Sequence, residues 1–380
     1  MNFETYPFEK LNTLLEKIRP NEDYIALSLT IGEPQFETPK FILDTFKDSA
    51  QLLNKYPKTS GEPILREAML KYLLTRFDLN LSNTQIIPTF GTREVLFNFP
   101  QFLLHDIKNS TIAYPNPFYQ IYEGAAKATN SKVVYINLKP ENNFEHIVEE
   151  EQLSTCNFVI INTPNNPTSA TMLMTELRKW IRLAQKYDFV LLNDECYIDL
   201  YLDEPIPSLL NASLAEGNKD FKNILVVNSV SKRSSAPGLR SGFIAGDANI
   251  LKDYMTYRTY VGCASPLPLQ HAAAAAWSDQ SHVDKFRAKY QRNFEIAKEV
   301  LGINPPLATF YIWLEVEDEI QFTVHLYKNY NLKVIPGSFL GRENQGQNFV
   351  RLALVYEEEK TRECLERIKK AISSISSNNK

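Results

Sequence analysis

Residues 223–246 read N-I-L-V-V-N-S-V-S-K-R-S-S-A-P-G-L-R-S-G-F-I-A-G. Ile224, Leu225, Val226 and Val227 form a run that is apolar toward both faces. Such a run suits a strand covered on each side by helices. Polar residues follow at once: Ser229, Ser231 and Lys232, then Arg240 eight residues beyond the lysine. A lysine at the end of a buried strand is poorly solvated. Desolvation and a neighbouring positive charge lower its pKa and free it as a nucleophile. Arg240 with Ser229 suits a phosphate, through charge-assisted and hydroxyl hydrogen bonds. By itself, S-K-R also reads as a solvated basic turn.

Six more short apolar runs lie outward from this one: Q-I-I-P-T-F (85–90), S-T-I-A-Y (110–114), K-V-V-Y-I-N-L (132–138), N-F-V-I-I-N-T (157–163), F-V-L-L-N-D-E (189–195) and S-G-F-I-A-G (241–246). Longer helical patterns separate them. Alternation at this spacing predicts an α/β layered fold with a mainly parallel sheet between helices. Beyond about residue 280 the texture changes. Charged helical patterns span 282–302 and 357–375, with strand-like F-Y-I-W-L-E-V (310–316) and N-F-V-R-L-A-L-V (348–355) between them. Phe8, Leu11, Leu15 and Ile18 recur at helix spacing near the start, behind Pro7. The expectation is a large domain over 45–280 and a smaller α+β domain formed by 1–44 with 281–380.

Ligands of open α/β sheets gather at the carboxyl ends of strands. After F-V-L-L come Asp194 and, three residues on, Tyr197. An ionised carboxylate leaving an apolar strand needs a cation or hydrogen bonds, and a protonated ring nitrogen of a cofactor would serve. Alone, Asp194 reads as a helix N-cap or half of a buried ion pair. After N-F-V-I-I comes N-T-P-N-N-P-T-S, a rigid turn that presents Asn166. After I-I-P-T-F come Gly91, Thr92 and Arg93, a close turn opening a helix whose N-terminal amides can hold an anion. No G-x-G-x-x-G or P-loop fits at a strand end, which counts against a dinucleotide or ATP enzyme. A phosphate cradle, an aromatic pair (Phe118, Tyr119), an amide, a carboxylate, a phenol, a Ser-x-Ser-Lys and an arginine follow successive strands. Together they fit pyridoxal phosphate.

Lys and Arg number 41 against 45 Asp and Glu, a net charge of −4. That balance gives no reason to expect nucleic acid or an anionic membrane surface. Cys156, Cys196, Cys263 and Cys364 are scattered, so neither a disulfide framework nor a zinc site is expected. The five histidines fall in no motif, and no metal is expected. No apolar run reaches membrane length and no signal peptide is seen, so the reading is a cytoplasmic protein.

N-N-P-T, D-E-C-Y and S-V-S-K-R-S-S-A-P-G-L-R-S-G resemble the fold-type I, class I/II pyridoxal-phosphate aminotransferases over residues 30–355. The resemblance implies a large domain built on a mainly parallel seven-stranded sheet. It implies that Lys232 binds the cofactor covalently and shuttles the proton, that Asp194 pairs with the ring nitrogen, that Asn166 and Tyr197 bind the ring hydroxyl and that Tyr119 stacks on the ring. Gly91, Thr92, Arg93, Ser229, Ser231 and Arg240 fall to the phosphate. Tyr56, in Y-P-K-T-S-G-E-P, resembles a tyrosine lent to the neighbouring subunit of a homodimer. Arg351 resembles the arginine that clamps the substrate α-carboxylate, and the Gly32 loop the segment that closes over it. Two departures stand out: Ser169 follows N-N-P-T where glycine is common, and Gln35 follows Pro34.

G-T-R-E-V-L-F-N-F, Y-P-N-P-F-Y-Q-I-Y-E-G-A-A, S-K-R-S-S-A-P-G-L-R-S-G and P-G-S-F-L-G-R-E are similar to those of succinyldiaminopimelate aminotransferases. That implies exchange of an amino group between N-succinyl-LL-2,6-diaminopimelate and 2-oxoglutarate. Aspartate or kynurenine transamination and carbon-sulfur β-lysis are the alternatives on the same fold. Arg93 and Arg342 are the candidates to meet a distal carboxylate, and Arg342 reads equally as a solvated charge.

Overall fold

A computed structural model describes residues 3–378. Each of the seven apolar runs is a strand: β1 (Ile86–Thr89), β2 (Thr111–Asn116), β3 (Lys132–Asn137), β4 (Phe158–Asn162), β5 (Val190–Asp194), β6 (Ile224–Ser229) and β7 (Gly242–Gly246). They form one sheet in the order β1-β7-β6-β5-β4-β2-β3. Pairing is parallel from β6 through β5, β4 and β2 to β3, while β7 runs antiparallel to both neighbours. Every residue of β1, β2 and β4 to β7 is buried, as two-sided coverage by helices requires. Only the edge strand β3 is partly open, and it begins on the exposed Lys132, a charge that discourages further pairing.

Strand direction decides where the polar residues emerge. β4, β5 and β6 are parallel neighbours, in register through Asn162, Asp194 and Val227. Their carboxyl ends therefore place Asn162, Asp194 and Ser229 on one edge of the sheet. β1 opposes β7, which opposes β6, so β1 points the same way and delivers Gly91 to that edge. Helix α2 (Thr92–Leu104) starts there.

A second sheet is antiparallel, ordered β9 (Ile335–Pro336), β10 (Phe349–Ala353), β8 (Tyr311–Glu315). Helices α3 (Ser281–Leu301) and α4 (Glu358–Asn378) pack over it, with Phe294, Ala297, Leu352, Leu365 and Ile368 in a shared core. Arg351 sits in the middle of β10, opposite Trp313 and Ile335. Helix α1 (Pro7–Leu15) buries Pro7, Leu11 and Leu15 and packs against β9. The periodicity placed Ile18 on this helix as well, but the helix ends before it.

Gly246 closes β7 against β6 at a φ of +138°, where a Cβ would fall 2.1 Å from the Ile224 carbonyl oxygen. No L-residue tolerates both the conformation and the contact. Gly246→Ala is expected to lower stability by more than about 1 kcal/mol, read as the urea midpoint. Gly238→Ala, whose Cβ meets nothing within 4 Å, is expected to leave that midpoint in place.

Candidate active site

The edge formed by β4, β5, β6 and the start of α2 is the floor of a cavity of about 700 Å³. Lys232, Asp194, Tyr197, Asn166, Arg240 and Arg351 all line it, although they come from five segments spread over 185 positions of chain. Gly32, Thr92, Arg93, Tyr119, Ser229 and Ser231 line it too. Gly91 turns α2 into it at φ +78°, and a Cβ there would lie 2.5 Å from an Arg240 guanidinium nitrogen.

Lys232 rides on a one-turn helix, Val230–Arg233, that follows β6 directly. Its Nζ donates to the Gly32 carbonyl. Burial, with the Arg351 and Arg240 charges acting the same way, lowers its pKa to about 8. Asp194 ends β5 and is 4% exposed. Its carboxylate accepts from the Tyr122 hydroxyl at 2.8 Å and the Cys196 N–H at 3.3 Å. Burial raises its pKa despite those bonds. No cation pairs with it among the described residues.

Arg351 is held in a fixed plane. It donates to the Asn166 side-chain oxygen at 2.8 Å and to the Thr30 carbonyl, and lies 4.6 Å over the Tyr311 ring. Its Nε is buried without a partner. Tyr311 also meets Tyr197, hydroxyl to hydroxyl at 2.9 Å. Ser169 adopts φ +63°, the left-handed conformation that favours glycine, and its hydroxyl is tied to Thr309 at 2.6 Å and the Tyr311 carbonyl at 3.0 Å.

Described by "Aminotransferase class I and II", a family model matches residues 24–368. The chain belongs to the class I and II aminotransferases. The crystal structure of aminotransferase AspB from Helicobacter pylori is 47% identical, with a TM-score of 0.96 over 98% of this chain and 100% of that one. An aminotransferase from Neisseria meningitidis is 37% identical, with a TM-score of 0.91 over 98% of each. LL-diaminopimelate aminotransferase of Dehalococcoides mccartyi is 27% identical over 94% of each chain. The fold is that of the fold-type I enzymes, and pyridoxal phosphate is the cofactor of this aminotransferase.

The donor set of the cavity fits that cofactor. Asp194 is a buried carboxylate short of a cation, which suits a protonated ring nitrogen. Gly91 leaves the space beside Arg240 that a Cβ would fill. Arg240 itself donates to the Pro237 and Phe90 carbonyls, which pin its guanidinium beside the start of α2. Lys232, Arg93, Arg240 and Arg351 make four lining cations, and none forms an ion pair among the described residues.

Two side chains lie elsewhere. Tyr56 is fully exposed and takes no part in the cavity of its own chain. Arg342, read from sequence as a candidate for a distal carboxylate, is corrected here. It forms a two-pronged ion pair with Glu123 at 2.6 and 2.8 Å, outside the cavity wall. Its charge is already met. Sequence reading also passed over Tyr122 and Tyr311, which brace Asp194 and Arg351. Tyr122 stands three residues past Tyr119, a helix-spacing signal that was available. Tyr311 carried none, since its partner Tyr197 is 114 residues away. Phe8, one of the residues recurring at helix spacing, lies on α1 and lines the cavity with Tyr6 and Pro7.

Because Lys232 loses its proton near pH 8, cofactor capture by the apoenzyme is expected to quicken as pH rises toward 8 and to level off above it. On the reading of Lys232 as the cofactor-binding lysine, the neutral amine is the reactive form, and its fraction is already half there. Stopped-flow absorbance after mixing with pyridoxal phosphate measures this. A rate still climbing to the ordinary lysine range near 10.5 would contradict the lowered pKa.

Proposed function

We propose that this aminotransferase moves an amino group between N-succinyl-LL-2,6-diaminopimelate and 2-oxoglutarate by a ping-pong route, in lysine biosynthesis. The observation that carries the reading is the cavity's charge: four cations, Lys232 among them, form no ion pair among the described residues, and Asp194 stands in the same walls. In this reading Lys232 holds the cofactor and moves the substrate proton. Asp194, steadied by Tyr122, keeps the ring nitrogen charged. Asn166 and Tyr197 meet the ring hydroxyl, and Tyr119 covers the ring. The phosphate falls to Arg240, Ser229, Ser231 and the amides of the Gly91–Thr92–Arg93 turn, whose dipole and free N–H groups favour an anion.

When bound, pyridoxal phosphate supplies a carbonyl carbon for the amine and a ring that accepts the electron pair of the broken α-C–H bond. The chain's own residues do the rest. Arg351 takes the α-carboxylate in a planar, two-pronged contact that a lysine would not reproduce. The Lys232 amine would take the proton from the substrate α-carbon and deliver it to the carbonyl carbon that the cofactor supplies. Gly32, whose Cβ position is occupied by the Tyr311 hydroxyl, lets its loop lie directly over that amine.

The donor's further carboxylates need a further cation, and we assign the Arg93 side chain to one of them. Its Nε donates to Tyr119 at 2.8 Å, leaving the two outer nitrogens of the guanidinium for a ligand. The diaminopimelate name of the Dehalococcoides relative supports the donor class. The same proposal includes a homodimer in which Tyr56 reaches the neighbouring site; Tyr56, Leu53 and Tyr260 are among the large apolar side chains left exposed. It also includes the division into a cofactor-carrying unit over 45–280 and a second unit over 1–44 with 281–380, supported by the separate core around α3, α4 and β10.

The test is a half-reaction screen in which each amino acid is mixed with the holoenzyme and bleaching of the bound cofactor is followed. Succinyldiaminopimelate is expected to bleach it fastest. Faster bleaching by aspartate or kynurenine, or pyruvate release from cystathionine without amino transfer, would overturn the substrate. Lys232→Ala is expected to lose the borohydride-fixed cofactor and about 10² to 10⁴ of the rate. Arg93→Gln is expected to lower kcat/KM about 10- to 100-fold for the succinylated donor, the loss of one charged hydrogen bond, and much less for a short aliphatic donor.

A further inference from the structure

The three side chains after Lys232 are each tied to a different part of the molecule. Arg233, 1% exposed, donates from Nε to Asp199 at 2.7 Å, from Nη1 to the Ala276 carbonyl at 3.0 Å and from Nη2 to the Gln280 side chain at 3.0 Å. Ser234 meets His282 at 2.9 Å. Ser235 donates to the Phe36 carbonyl at 2.5 Å.

Asp199 is the hub of the first tie. It is 2% exposed and lies two residues past Tyr197 and five past Asp194. Its carboxylate also accepts from the Tyr72 hydroxyl at 2.9 Å and Arg76 at 3.1 Å. The Tyr72 hydroxyl in turn accepts from the Asn228 amide at 3.1 Å. Asn228 and Arg233 flank Lys232 on the chain, so the route Asn228, Tyr72, Asp199, Arg233 closes on itself around the lysine turn. Burial works to raise the Asp199 carboxyl, but Arg233 and Arg76 outweigh it and hold it below its ordinary value. A buried ion pair gives little net stability over apolar side chains of the same size, so stability alone does not account for this one.

We propose that Arg233 is a positioning residue: through Asp199 it fastens the Lys232 turn to the Asp194–Tyr197 turn, so that the lysine amine stays aligned with the α-proton it transfers. This rests on the reading of Lys232 as the proton carrier. Misplacement of a reacting group by about 1 Å costs on the order of 10²-fold in rate.

The test uses two holoenzyme variants. Arg233→Lys keeps a cation beside Asp199 but cannot reach Ala276 and Gln280 together. Gln280→Ala strips one arm at a half-buried position, leaves no buried charge unpaired and keeps the fold. Arg233→Lys is expected to retain bound cofactor and a donor KM within about twofold, to lose about 10- to 100-fold in kcat, and to show a larger isotope effect with α-deuterated donor. Gln280→Ala is expected to fall between it and the wild type on both readouts. Wild-type kcat and isotope effect in the folded variants, even with a lowered melting temperature, would make Arg233 merely structural and overturn the proposal. Should Arg233→Lys not fold, Gln280→Ala decides by the same two readouts. Wild-type turnover in Lys232→Ala would sink the reading of the lysine instead.

Discussion

Among the described residues, Asp194 is a buried carboxylate with hydrogen bonds from Tyr122 and Cys196 and no cation paired to it. Charge in that setting is costly, which is why burial pushes its pKa up. The rest of the site depends on that unmet charge. In the proposed reading a protonated ring nitrogen would bring the missing cation, and the cofactor and the carboxylate would stabilise each other. The complementary imbalance lies in the same cavity, where Lys232, Arg93, Arg240 and Arg351 have no carboxylate partners among the described residues. Burial, with repulsion from Arg351 and Arg240, lowers the lysine's pKa and keeps it nucleophilic. A cavity in this state is made for a ligand that is anionic at its ends and cationic at one ring atom.

The scaffold keeps those charges from annihilating one another. Lys232 and Asp194 leave the ends of adjacent parallel strands, both buried on two faces. Arg351 leaves a different sheet, and its guanidinium is held by Asn166, Thr30 and Tyr311. Each side chain is fixed by groups other than its electrostatic partner. That is preorganisation in a physical sense: the reorganisation cost is met when the chain folds. Ion pairs such as Arg233–Asp199 and Arg342–Glu123 belong to the frame around the cavity, and Glu94 on the cavity wall is taken by the buried Arg258.

Much of this could be read along the chain. All seven large-sheet strands were visible as apolar runs, because a strand covered on both sides has a local signature. Lys232, Asp194 and Asn166 were visible because each closes or closely follows such a run, and Arg240 because it stands eight residues beyond the lysine. Tyr311 was not, since nothing near it in sequence records that it stands between Tyr197 and Arg351. Arg342 misled for the matching reason: its partner Glu123 is 219 residues away, and a charge with a distant partner looks free. The place of Phe8 on the cavity wall was not legible, because helical periodicity tells which face is apolar, not whether that face meets a core or a cavity.

What the amino-acid sequence determined by itself is the set of strands, the turn chemistry at their ends and the residue types waiting there. Hydrophobic run length, periodicity and turn preference are local, so one-dimensional order carries them. What only the tertiary structure decided is which of those charges meet and which stay unmet. Asp194 lacks a cation and Asp199 has two; the two stand five residues apart in the same segment. The difference lies in which distant helices and strands pack against each carboxylate, and packing is a property of the closed fold.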